Sequence, residues 1–210
     1  MTLQIQTFIL GPIENNTYLI SDPATSQAVL IDPATPSRKV MDYLQEHNLN
    51  LNAIWITHAH FDHIGGVRWF LDQKKETVKA AIHSDAVELW ENGGSAREFG
   101  FDFDPGPIPQ IILNENDILS VGRYQFKVLH TPGHTPGHVV YYCSEENIAF
   151  CGDVIFFHGV GRTDLAISNT DELMDNISKK ILTLPAKTLL YPGHGQFTSV
   201  EEELANNPYI

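Results

Sequence analysis

Cysteine is nearly absent: Cys143 and Cys151 are the only two among 210 residues. Both stand in apolar runs and neither has the spacing of a zinc knuckle, so a thiolate metal site and a disulfide framework are set aside. They read as buried free thiols in a reducing compartment. Positive charge is scarce too. Thirteen Lys and Arg stand against 26 Asp and Glu, a net charge of −13, whereas binding a phosphate backbone requires a basic face. Nucleic acid is therefore not an expected partner. The pairs Lys74-Lys75 and Lys179-Lys180 are isolated and read as solvated helix faces. Long apolar runs are missing, and Met1-Thr2-Leu3-Gln4-Ile5-Gln6 has no basic stretch followed by an apolar core. No membrane span or secretion signal is expected, and the cytoplasm is the default location. No low-complexity tract or linker divides the chain. Residues 1–210 are expected to form one domain, and the 42% apolar content is enough for a real core. Composition leaves the oligomeric state open.

Histidine is what the chain does have, and it is unevenly placed. Thr57-His58-Ala59-His60-Phe61-Asp62-His63 brings three imidazoles and a carboxylate into one short stretch. Neutral imidazole is the commonest side-chain metal ligand, with carboxylate the usual oxygen ligand beside it. Leu51 to Ile56 before it read as a buried strand, and Ile64 to Leu71 after it as a helix. The cluster therefore sits on a strand-to-helix turn.

Apolar alternation predicts further strands at 3–10, 17–20, 28–31, 77–82, 111–113, 118–121, 124–129, 139–143, 148–151 and 187–191. Thr35 with Pro36 reads as the cap and first residue of a helix carrying Val40 and Leu44 and ending near Asn48. Ser84 caps a short helix with Val87 and Trp90. Asn169 or Thr170 opens another, with Leu173, Ile177 and Ile181 facing the core. Thr198 and Glu201 fit a capping box for the last. Residues 92–109 lose periodicity, collect Gly and Pro, and hold Phe99, Phe101 and Phe103. This segment is either a lid or pocket wall, or a plain packed loop. Strands cluster and helices flank them in both halves, which predicts two sheets packed face to face with helices outside.

Three more strands run into groups suited to a metal: Thr131-Pro132-Gly133-His134, Gly152-Asp153 and Pro192-Gly193-His194. In each a glycine precedes the polar residue and permits close approach. The donors His58, His60, Asp62, His63, His134, Asp153 and His194 number about what two metal ions need. The division that uses all of them gives His58, His60 and His134 to one ion and Asp62, His63 and His194 to the other. Asp153 bridges. His47, His83, His130, His138 and His158 receive structural readings: His47 at a helix C-terminus, His130 and His138 as core residues or as partners of the ligands. Asp32 either accepts the free N–H of a ligating imidazole or caps a turn.

The pattern His58-x-His60-x-Asp62-His63, Gly-His134, Gly-Asp153, Gly-His194 resembles the metallo-β-lactamase superfamily across nearly the whole chain. The resemblance implies an α+β fold, the αββα four-layer sandwich, with the site at one edge of the two sheets. Thr131-Pro-Gly-His-Thr-Pro-Gly-His138, Gly152-Asp153-Val-Ile-Phe156, Gly159-Val-Gly161-Arg162-Thr-Asp164 and Tyr191-Pro-Gly-His194 resemble glyoxalase II-like hydrolases. Two-domain glyoxalase II enzymes carry a C-terminal helical domain that helps hold glutathione. This chain ends at Ile210, as the short relatives do, and has Val160 where the family often has Cys.

The implied activity is hydrolysis of a small-molecule thioester, S-lactoylglutathione or a related acyl-thiol, by a water activated between two divalent ions. Zinc is the first candidate and iron or manganese the alternatives. Asp62 is the candidate catalytic residue, orienting the water and taking its proton. Arg162 reads as a structural ion-pair partner or a clamp for a substrate carboxylate. Persulfide dioxygenases, with one iron on His58, His134 and Asp153, also resemble the sequence. A lactonase or β-lactamase on the same scaffold is a further rival.

Overall fold

The computed structural model describes residues 2–74 and 77–210; Lys75 of the first lysine pair lies outside them. One sheet holds six strands in the order β1 (Gln4–Leu10), β2 (Asn15–Asp22), β3 (Gln27–Ile31), β4 (Asn50–Trp55), β5 (Lys79–His83) and β6 (Ile111–Leu113). β1 to β3 form an antiparallel meander, and β3 to β6 run parallel. Their crossovers carry α1 (Arg38–Glu46), α2 (Phe61–Ile64), α3 (Val67–Lys74) and α4 (Val87–Glu91).

The second sheet is built from β7 (Ile118–Val121), β8 (Tyr124–His130), β9 (Val139–Cys143), β10 (Ile148–Gly152), β13 (Leu189–Pro192) and β14 (Thr198–Ser199). A two-stranded ribbon, β11 (Ile155–Phe156) and β12 (Gly159–Val160), follows β10. α5 (Thr170–Asn176) and α6 (Val200–Asn206) complete the chain.

Strand alternation builds three apolar layers. Val29, Ile31 and Trp55 of the first sheet meet Phe126, Val128, Tyr141 and Phe150 of the second in a central core. The opposite faces of the same strands, Leu30 and Ile54 among them, pack on Val40 and Leu44 of α1 and Phe70 of α3. Val140, Ala149 and Cys151 pack on Leu173, Ile177 and Ile181. The order is helix, sheet, sheet, helix: the expected αββα sandwich. Cys143 and Cys151 are buried free thiols on opposite faces of their sheet.

Several elements differ locally from the sequence expectation. α1 starts at Arg38 rather than Pro36. The backbone before it is committed elsewhere: Ala34 N–H donates to Thr17 Oγ1, and Pro33 O accepts from Gly66. The second of these contacts also falls at the break between α2 and α3, where one helix was expected. The helix begun by α5, capped by Asn169 Oδ1, widens into a π-turn at Ile177–Ile181 while its apolar residues stay buried. Ser199, not Thr198, caps α6 and accepts from Glu202 N–H. Thr198 pairs with Leu190 in the sheet and gives its hydroxyl to Glu203. Among the described residues no helix is long and apolar enough to cross a membrane.

Candidate metal centre

Backbone bonds join the two sheets along the edge where β4, β10 and β13 end. Val139 N–H donates to Thr57 O and Asn16 N–H to Gly193 O across the sheets, at 2.8 and 2.7 Å, and Gly193 N–H donates to Gly152 O within the second, at 2.8 Å. The turns that carry the candidate ligands are thus tied to both sheets at once. Two of their glycines are required by space. Gly152 has φ +48°, and a Cβ on it would lie 2.4 Å from Thr57 Oγ1 and 2.7 Å from His138 Nε2. A Cβ on Gly193 would lie 2.2 Å from Asp153 Oδ1.

All seven sequence-selected donors come together here, in two sets. In the first, His60 Nδ1 lies 3.1 Å from His58 Nε2 and 3.0 Å from His134 Nε2. In the second, Asp62 Oδ2 lies 3.2 Å from His194 Nε2 and 3.7 Å from His63 Nε2. Asp153 stands between the sets. Its Oδ1 is 3.4 Å from His63 Nε2, and its Oδ2 is 3.8 Å from His134 Nε2 and 3.7 Å from His194 Nε2.

This arrangement fits divalent cations. Three buried imidazole nitrogens, with His60 Nδ1 within 3.1 Å of the other two, cannot all be satisfied by protons, but one cation between them satisfies all three lone pairs. Asp153 Oδ1 is buried with no hydrogen-bond partner, a costly condition that a cation relieves.

Titration follows the same division. Burial, reinforced by neighbouring imidazoles, drives His58 well below the ordinary histidine value and His60 down to about 3. Burial also lowers His134. His63 and His194 go the other way: burial opposes their charge, but Asp153 and Asp62 raise both, His63 well above its ordinary value. Asp153, although buried, is held far below the carboxylate range, chiefly by His63 and His134.

The residues behind the donors orient them. His63 Nδ1–H donates to Asp32 Oδ2 at 3.0 Å. Thr57 donates to the same carboxylate through its N–H and its hydroxyl, at 2.8 and 2.6 Å, and His58 Nδ1–H donates to Thr57 Oγ1 at 3.1 Å. Asp32 therefore anchors an imidazole in each set. His134 Nδ1–H donates to Arg162 O and His194 Nδ1–H to Ile13 O. His138, read as structural, accepts from Asp153 N–H at 3.0 Å and donates through Nδ1 to Thr131 Oγ1. It positions the shared carboxylate. Arg162 forks onto Asp164 at 2.7 and 2.9 Å, the ion pair expected of it.

Two asparagines escaped the sequence reading. Asn15 Nδ2 lies 3.0 Å from both ring nitrogens of His63. Asn16 Nδ2–H donates to Pro192 O and Gly195 O, on either side of His194. Nothing in Asn15-Asn16 distinguishes them in sequence from turn residues; the partner of Asn15 lies 48 residues away and those of Asn16 lie 176 and 179.

The remaining histidines keep structural roles. His47 caps α1 and bonds Tyr43 O. His158 pairs with Glu202. His83 and His130 approach Asp85, but their rings stack at 3.8 Å and His130 Nε2–H donates to Pro136 O. Stacked rings hold their in-plane lone pairs parallel, so this grouping is not a converging donor set.

The 92–109 segment is a wall of the site. Gly94 O accepts from Phe61 N–H, Trp90 Nε1–H donates to Gly106 O, and Phe99 and Phe101 contact the ring of Phe61. Phe99 faces the cleft that contains His60, Asp62, His134, Asp153 and His194.

Similar chains carry different names. Hydroxyacylglutathione hydrolase GloC of Haemophilus influenzae is 30% identical over 99% of this chain and 98% of its own. Two solved structures each match 98% of this chain: BLEG-1, a B3 metallo-β-lactamase, at 34% identity, TM-score 0.91 and 99% of its own length, and TTHA1623 in a di-iron-bound form, at 35%, 0.87 and 100%. The family model of the metallo-β-lactamase superfamily matches residues 10–194. With that match and near-complete coverage by a relative of known type, the chain belongs to the metallo-β-lactamase superfamily.

Proposed function

We propose that this chain is a binuclear metal-dependent hydrolase of thioesters, with S-lactoylglutathione or a related acyl-thiol as the substrate class. The observation that carries the reading is the placement of Asp153 between the donor sets: Oδ1 is 3.4 Å from His63 Nε2, and Oδ2 lies within 3.8 Å of both His134 Nε2 and His194 Nε2. His58, His60 and His134 would hold one ion, Asp62, His63 and His194 the other, and Asp153 both. Two bound divalent ions supply a water deprotonated near neutral pH and a Lewis acid for a carbonyl.

The chain's own groups do the rest. Asp62, which lines the cleft, would hold the second ion through one oxygen and with the other orient the attacking water, take its proton and return it to the departing sulfur. Asp32 and Asn15 keep His63 in place while charge develops. Ile13, Phe99 and Leu165 line the cleft and limit the water that reaches it. Arg162, committed to Asp164, orients His134 through its carbonyl rather than binding substrate.

The name of the Haemophilus influenzae relative supports a thioester. Zinc suits an imidazole-rich set and a thiolate leaving group, and the di-iron neighbour makes iron its competitor. His60, close to both His58 and His134, favours three imidazoles on the first ion over the two of a mononuclear oxygenase site. The deciding experiment measures metal content by mass spectrometry. The same sample is assayed on thioesters, lactones, a β-lactam and, with an oxygen electrode, glutathione persulfide. Two metals per chain with thioester cleavage are expected. One iron per chain, oxygen uptake and no thioester cleavage would overturn the reading.

A further inference from the structure

Beside the metal cleft lies a second cavity of about 290 Å³. Its wall is apolar: Leu10 at the end of β1, Pro12 and Ile13 from the β1–β2 turn, Phe61 from α2, and Phe101 and Phe103 from the 92–109 segment. The two spaces share Ile13, Phe61 and Asp62. They are lobes of one cleft, with the carboxylate of Asp62 at their junction. Among the described residues the lining of the apolar lobe includes no Lys or Arg, and its charged members are two carboxylates, Asp62 and Asp102. Arg68, across the segment, is paired with Asp104. Phe101 and Ile13 are 51% and 46% exposed, so part of the lobe's apolar wall is open to a ligand.

We infer that the apolar lobe binds the acyl group of the substrate, and that the preferred acyl group is uncharged and apolar, of medium chain length or aromatic. This rests on the thioesterase reading above. The carbonyl must sit at the donor sets, beside Asp62, so one substituent of the carbonyl leads into the lobe next door. An apolar substituent gains by leaving water there. An anionic one loses hydration and meets Asp62 and Asp102 without a cation to compensate. Size agrees: about 150 Å³ of apolar cavity accommodates a benzene, and this lobe has roughly twice that. The other exit, past Phe99, Leu165 and His134, is left to the thiol. The lactoyl group, small and hydroxylated, would use little of the lobe.

The test is a series of acyl thioesters of one thiol, N-acetylcysteamine, run from acetyl to decanoyl with the metal-loaded protein. kcat/KM should rise about twofold to fourfold per methylene until the lobe is full, near eight carbons, and then level off. A glutaryl thioester should be at least tenfold poorer than the hexanoyl one. Phe101→Asp should bring the hexanoyl-to-acetyl ratio towards one, while Phe101→Leu, which keeps the wall apolar, should preserve it. A flat chain-length profile, or a preference that follows the thiol and ignores the acyl group, overturns the inference and leaves the thioesterase reading standing. Absence of any thioester cleavage overturns that reading instead. The lobe is then judged by calorimetry with alkyl hydroxamates of the same chain lengths. Affinity rising with length upholds the apolar lobe, and constant affinity refutes it.

Discussion

Asp62 carries two burdens that its neighbours do not share. It is grouped with His63 and His194, and it lies at the junction of the metal cleft and the apolar lobe. Burial raises the cost of its charge, yet His63 and His194 hold its carboxyl below the ordinary value, so it is ionised at neutral pH and ready to accept a proton. Asp62→Ala should lower kcat by about 10²-fold or more, the usual scale for a lost acid–base group. It should also weaken one metal, that of His63 and His194, more than the other. Turnover and metal stoichiometry on the same sample check this; near-normal kcat with both metals retained would contradict the role. The residue types and their spacing made this position legible in sequence. Asn15 and Asn16 were not, because an asparagine in a turn has a sufficient local explanation and the far strand that uses its amide is invisible along the chain.

At the level of elements, the site is made by strand ends and the turns that follow them. β2 is the element whose role was least visible. It reads as one strand of a meander, but Asn16 grips the turn around His194, and the Tyr18 hydroxyl donates to Pro192 O at 2.6 Å. The first sheet thereby aims a ligand carried by the second. Asn16→Ala removes two bonds to that turn, one of them buried. It should lower affinity at the Asp62/His63/His194 set by 10- to 100-fold, as loss of a group orienting a ligand does, with a small fall in Tm. Competition with a chromogenic chelator resolves the two sites. Equal weakening of both would show that the bond serves the fold generally and not that ligand. The 92–109 segment teaches a related point: its lack of periodicity left wall and plain loop both open. Contacts to Phe61 and Trp90 choose between them, and none is encoded by a local pattern.

For the whole molecule, the pertinent balance is between metal and protons. Without metal, the raised values of His63 and His194 keep these imidazoles charged opposite Asp32, Asp62 and Asp153. Groups raised above their unfolded value of about 6.5 stabilise the metal-free fold at low pH, and that contribution is lost as pH rises through the raised values. Metal binding must expel those protons, so it strengthens as pH rises. Both effects have the same sign. The Tm difference between loaded and chelator-stripped protein should be larger at about pH 8 than at about pH 6, and rebinding at neutral pH should release protons, read by calorimetry in two buffers of different ionisation enthalpy. At metal about 100-fold above Kd, each site adds roughly 2.7 kcal/mol. A pH-independent Tm difference would show that the imidazoles of the second set are already neutral.

Residue types and their periodicity were enough for the donor types, the strands that carry them, the two-sheet sandwich and the alternation that builds its three apolar layers. These are local matters: period-two burial, capping, and a glycine where a side chain would collide. The meeting of the two sheets settled that Asp153 stands between the donor sets, that Asp32 serves both His58 and His63, that His138 holds Asp153, and that an apolar lobe opens beside Asp62. Those facts are distances between residues far apart in the chain, set by how two sheets meet along one edge. The periodicity of a single strand carries no term for where another strand will end.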